Sequence, residues 1–118
     1  MPKKPDSEII QMKIRGKLFS WDLAKEWETV QDRKISFTEA STIFSDPYHL
    51  YLGVDENDQS RHRIVGRSSA HRTLIVIHCD IYDDILFCNE YRIITAFCAN
   101  PDEKAKYLDN VNNLASQD

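Results

Sequence analysis

The chain has 118 residues, 42% of them apolar and 29% charged, with a formal net charge of -4. That is one ordinary domain with enough apolar mass to bury a core without metal or disulfide support. The balance excludes a globally basic nucleic-acid binder but not a local basic patch, and no 18-residue apolar run exists to span a membrane.

The start, "MPKKPDSEII", has lysines but no apolar stretch behind them, so it does not read as a secretory signal. Three cysteines, Cys79, Cys88 and Cys98, form no framework, and the odd count fits a reducing cytoplasm. Residues 1–8 read as a frayed tail within an N-terminal extension, 1–17, that carries one short strand over Ile9–Ile14. "KLFSWD" extends or repeats that strand. Asp22 then caps a helix to about Arg33, with Leu23, Trp27 and Val30 as its apolar stripe.

Ser36 and Glu39 have the spacing of a capping box and open a second helix, which Asp46-Pro47 ends. A short strand is expected at Tyr48–Leu52, followed by the polar loop "GVDENDQS". "RHRIVGRS" and "TLIVIHCD" form a hairpin through "SAHR". "ILFCNEYRIITAF" is long for one strand, so a bend is expected near Asn89. Asn100-Pro101-Asp102-Glu103 is the strongest helix start, with Asn as cap, Pro at the first position and Glu three residues on. The closing helix carries Ala105, Leu108 and Val111 with Tyr107, and is expected to dock beside Arg92. The fold class is therefore α+β: a small antiparallel sheet packed with two N-terminal helices and one C-terminal helix, spanning 18–114, before a disordered tail over 115–118.

Between positions 61 and 79 stand four arginines and three histidines, and no acid. Strand alternation puts Arg61, Arg63, Val65 and Arg67 on one side, with His62, Ile64 and Gly66 on the other. Several guanidinium groups on one face suit phosphate or carboxylate. A solvated face paired with the surrounding acids is the plainer reading. His62, His71 and His78 lack metal-ligand spacing with the cysteines, so no metal and no cofactor are expected.

Taken together, these blocks resemble the BrnT family, the toxin half of a bacterial type II toxin–antitoxin pair with a RelE-like ribonuclease fold. The resemblance rests on "FSWDLAKE" at 19–26, "SFTEASTIFSDP" at 36–47, "RIVGRS" at 63–68 and "RIITA" at 92–96, followed by Ala99, Glu103 and Tyr107. It covers about positions 18–108. It implies a metal-independent ribonuclease held by a small antitoxin. Family positions for Lys-His-Gly fall on Asp32, Arg33 and Lys34, and the Glu-Arg pair falls on Ser60 and Arg61. The arginine of "RIITA" is Arg92, whereas two further family cations are replaced by Phe97 and Pro101. The resemblance thus implies catalytic residues among Arg61 and Arg92, with RNA phosphate held by Arg61, Arg63, Arg67 and Arg92. His62 or His78 is the candidate general base, although the family places none there. Asn100, Glu103 and Tyr107 are structural. With two cations gone, the activity is expected to be attenuated, and the alternative is a catalytically inactive binder of a protein partner or RNA.

Overall fold

The computed structural model describes residues 3–117. Six strands form one sheet in the order β1-β2-β6-β5-β4-β3. Strands β1 (Ile9–Ile14) and β2 (Lys17–Asp22) form a hairpin, so "KLFSWD" repeats the first strand rather than extending it. The other strands are β3 (Leu50–Val54), β4 (His62–Arg67), β5 (Thr73–Asp83) and β6 (Cys88–Cys98). Every pairing is antiparallel except β2 with β6, which is parallel through Leu18–Glu90, Phe19–Tyr91 and Ser20–Arg92. The sheet is therefore mixed, because the chain crosses from β2 through two helices and a meander before returning beside it.

Helix α1 (Leu23–Arg33) begins at Asp22, whose carboxylate accepts from Ala24 N at 2.9 Å. Its expected stripe of Leu23, Trp27 and Val30 is only half-buried, and Thr29 is its buried residue. Trp21, on β2, is the tryptophan that enters the core. The Glu26 carboxylate ties the region together, accepting from Trp21 Nε1 and from the Phe37 backbone N. Helix α2 (Phe37–Ser41) is one turn and a half, continued by a 3₁₀ turn over Thr42–Ser45. Asp46 then holds the backbone N of Tyr48 and, through its carbonyl, that of His49. That turn delays β3 to Leu50, two residues later than the expected Tyr48.

Strand β5 is apolar and buried without a break from Leu74 to Ile77, as befits a central strand covered on both faces. On one face Phe19, Trp21, Phe37, Ile43, Phe44, Ile64, Val76 and Ile93 pack beneath α1 and α2. On the other, Val65, Ile75, Ile77, Ala99 and Tyr107 pack with α3 (Pro101–Ala115). Gly66 permits the first of these contacts: a Cβ there would stand 2.9 Å from the Ile43 Cβ. β6 runs unbroken past Asn89. The irregularity lies instead where Ile77 pairs with Thr95 and His78 with Ile93, leaving Ile94 as an extra residue.

The stripe of α3 is rotated from the expected one. Glu103 and Tyr107 are buried and Val111 packs beside them, whereas Ala105 and Leu108 are exposed. The helix lies along β4 rather than beside Arg92, because the apolar side chains needing cover are Val65, Ile75 and Ile77. It continues through Ala115, with Ser116 and Gln117 in a turn, and Asp118 lies outside the described residues. At the other end the frayed segment expected for 1–8 is partly tied down. Ser7 Oγ donates to Asp22 at 2.7 Å and Leu23 N to the Glu8 carbonyl at 2.9 Å. Met1 and Pro2 lie outside the described residues. No helix among the described residues is long and apolar enough to cross a membrane.

Candidate functional site

Strand alternation on β4 sorts the basic stretch as its sequence suggests. Arg63 and Val65 lie on the face covered by α3, whereas His62 and Ile64 lie on the face covered by α1 and α2. Arg61, just before β4, lines a cleft of about 520 Å³ together with Arg92 of β6, Lys25 of α1, Asp22 and Cys79. Arg92 shares a face with Ser20 and Glu90. Its Nε donates to Ser20 Oγ at 2.7 Å, and a terminal nitrogen lies 3.2 Å from Glu90. Glu90 is buried and also accepts from Ser20 Oγ at 2.6 Å. Arg61 pairs loosely, 3.3 Å from Asp58, with both side chains more than 40% exposed. Arg63 is held by Glu103 at 2.8 Å. Arg67 is exposed, lines a separate cleft of about 400 Å³ beside Asp46 and Tyr107, and has no ion pair among the described residues.

The sheet separates these arginines from the histidines. His62 and His78 pair across β4 and β5, their rings 5.4 Å apart, on the opposite face from Arg92. His62 Nδ1 shares a hydrogen bond with the Tyr51 hydroxyl at 2.8 Å. His78 is buried. Its Nδ1 stands 3.0 Å from the Asp80 carboxylate. Burial pushes the His78 pKa down, with the Asp80 carboxylate opposing and the His62 imidazole adding to the shift. The four residues Arg61, Arg92, His62 and His78 are thus brought together as two pairs, one on each face.

At the junction of β6 and α3 the charge that Phe97 lacks is supplied from elsewhere. The Arg33 guanidinium sits 5.7 Å from the Phe97 ring centroid and donates to Thr95 Oγ1 at 3.0 Å and to the Ala96 carbonyl at 3.1 Å. The last residue of α1 therefore lends a cation to the end of β6. Beyond it the cap of α3 is complete: Asn100 Oδ1 accepts from Glu103 N at 2.7 Å, and Glu103 Oε1 accepts from Asn100 N at 2.9 Å. Tyr107 donates to Asp46 at 2.6 Å, and its burial, aided by this bond, pushes the phenol pKa far up. Sequence reasoning did not single out Arg33, Ser20, Glu90 or Asp80 as site residues. A helix-terminal arginine meeting a strand 62 residues later leaves no local pattern. Among the described residues no three His, Cys, Asp or Glu side chains group to hold a metal.

Two comparisons bear on this geometry. No curated protein matches the chain. The family model described as the ribonuclease toxin BrnT of type II toxin–antitoxin systems matches residues 21–103, from the buried Trp21 through the Glu103 that completes the cap of α3. That span contains five of the six strands in whole or at their end, the arginine cleft and the strand–helix junction, and the chain belongs to the BrnT family of ribonuclease toxins.

Proposed function

We propose that the protein is the toxin of a type II pair and cuts RNA without a metal, working in the cytoplasm until a small antitoxin covers its arginine face. The observation that carries this reading is the convergence of Arg61 and Arg92 on one cleft, with Lys25 beside them. Arg63 lies on the same face, and Arg33 at the end of β6 extends the basic surface. In cleavage beside a 2′-hydroxyl, negative charge grows on the phosphate oxygens. Fixed guanidinium donors stabilise that charge in the transition state. Arg92 is the best oriented, because Ser20 and Glu90 fix it. His62 and His78 lie across the sheet and do not reach a phosphate held by Arg92. The proton transfers at that phosphate are left to weak groups, and we expect an attenuated enzyme.

Incubation of the purified chain with single-stranded RNA tests this. Cleavage should fall about 10²-fold or more in Arg92→Ala, with a smaller loss in Arg61→Ala. Cleavage unchanged by both variants would sink the assignment of these arginines. The pairing of Arg92 with Glu90 and Arg63 with Glu103 favours a second reading, binding without cleavage. Intact RNA bound with a steep salt dependence would support it. Phe97→Arg with Pro101→Arg should then restore cleavage and growth inhibition.

A further inference from the structure

The face of the sheet opposite the arginines carries a second cleft, of about 460 Å³, that the RNA-cleavage reading leaves unused. This lies within the range of about 300–1,000 Å³ usual for small-ligand sites. Its walls are rings from five elements. Phe44 of the 3₁₀ turn, His78 of β5 and Tyr91 of β6 stand with centroids 5.1–5.8 Å apart. Tyr51 of β3 and His62 of β4 continue the array at 5.6 Å, and Tyr51 is 53% exposed. Lys17 and His49 also line the cleft.

One polar corner of this cleft is open. The Asp80 carboxylate there is half-exposed, with one oxygen 3.0 Å from the buried His78 Nδ1 and the other 3.9 Å from His62 Nε2. A carboxylate is an acceptor only, and each of its oxygens can accept beyond one imidazole. A ligand edge with two adjacent N–H donors matches its two oxygens.

We propose that this cleft is a nucleotide subsite selective for guanine, in which the base stacks on Tyr51 and His62, its Watson–Crick edge meets the two oxygens of Asp80, and its phosphate meets Lys17 and His49. Guanine is the RNA base with two adjacent donors on that edge, N1–H and N2–H. Adenine and cytosine offer one amino group beside an acceptor, and uracil one imino N–H between two acceptors. Aromatic and imidazole rings are the usual platforms for unstacked RNA bases, whose edges are then read by hydrogen bonds. The proposal rests on the reading above only in taking RNA as the ligand class.

Titration of the full chain with GMP, AMP, CMP and UMP separately, followed by calorimetry and by the Tyr ring signals in NMR, tests it. GMP should bind at least about tenfold tighter than the others. Asp80→Asn should erase that preference, because the amide presents a donor where two acceptors are required. Tyr51→Ala should weaken all four by about tenfold, as loss of a stacking partner does. Arg92→Ala should leave the preference for GMP over the other three unchanged, since the arginine face meets phosphate, which all four share. Equal binding of the four, no binding at millimolar concentration, or a guanine preference that survives Asp80→Asn would each overturn the subsite. So would binding lost in Arg92→Ala and kept in both cleft variants, since the nucleotide would then sit on the arginine face. Both cleft positions are at least half-exposed, and thermal melts of the two variants confirm that each is folded. Free mononucleotides keep the outcomes apart: guanine selectivity without RNA cleavage leaves the subsite standing and removes only the ribonuclease reading.

Discussion

Ser36–Glu39 and Asn100–Glu103 have the same spacing and open helices in the same way, yet only the second closes its box. Each cap accepts from the backbone N three residues on, at 3.1 Å for Ser36 and 2.7 Å for Asn100. Glu103 returns a bond to the Asn100 backbone with one carboxylate oxygen and holds Arg63 with the other. Glu39 turns away from Ser36 altogether. It takes Arg72 through both of its oxygens and the Ser68 hydroxyl at 2.6 Å. A carboxylate at the third helical position is thus claimed by whichever donors the tertiary fold brings to it. A bidentate guanidinium outweighs a backbone N–H. Both glutamates also reach into the same basic stretch, so two of its four arginines, Arg63 and Arg72, are neutralised from within. Of that stretch, Arg61 keeps only its loose pairing with Asp58, and Arg67 has no ion pair among the described residues.

The largest effect on stability is expected at Glu39. Glu39→Gln breaks a largely buried carboxylate away from Arg72 and weakens the bond to Ser68, and should destabilise by about 1.5–3 kcal/mol. Denaturant melts would measure it. The hydrogen bond from Arg72, aided by Ser68, holds the Glu39 pKa below its usual 4.5 despite the opposing effect of burial. A depressed carboxylate pKa gives stability that is full above the unfolded value and is lost as pH falls through the folded one. The gap between parent and Glu39→Gln should therefore be constant near neutrality and narrow below about pH 4.5. A gap that widens in acid would mean that the pair does not stabilise the fold as a charged pair.

Glu103→Gln sharpens the contrast between the two boxes. The amide oxygen can still accept from Asn100 N, so the cap survives, while Arg63 loses its counter-charge. The expected loss is about 1 kcal/mol, below that at Glu39, because Arg63 is one-third exposed and water replaces part of the contact. RNA binding should move the other way. A freed Arg63 adds one phosphate contact, raising the slope of log affinity against log salt by about 1. Unchanged salt dependence would show that Arg63 is no part of the RNA surface.

The same contrast shows where the sequence was legible. Caps, strand alternation and the order of elements are local, and Asp22, Ser36, Asn100 and the two sides of β4 behave as their patterns dictate. The register of β6 was not legible. Its extra residue at Ile94 is set by pairing with β5, and no breaker residue marks it. Nor was the parallel pairing of β2 with β6, which joins segments some 70 residues apart. The candidate site shares that limit. Alternation separates Arg61 from His62 on neighbouring positions, but only the folded sheet shows that His78 sides with His62 and Arg92 with Arg61. Arg33 reached the junction from the end of another helix, which composition around Phe97 cannot reveal.

The smallest effects are expected on α3 itself, where its two ends differ. Asn100→Ala removes the acceptor for Glu103 N and leaves the box half-made. The expected loss is about 0.5–2 kcal/mol, or a melting point lower by about 4 °C in a domain of this size. Ending the chain after Leu114 removes Ala115, Ser116 and Gln117, which are exposed and bond only within the last turn, through Ser116 Oγ to the Asn113 carbonyl, Ser116 N to Asn112 and Gln117 N to Leu114. Helix ends fray and exposed termini tolerate loss, so that truncation should lower the melting point by less than about 2 °C. Side-by-side melts at two protein concentrations decide the matter. Equal destabilisation by both changes, growing as the protein is diluted, would mean that the last turn packs on a second copy of the chain. The antitoxin would then meet a dimer, and the arginine face of each copy would have to be covered separately.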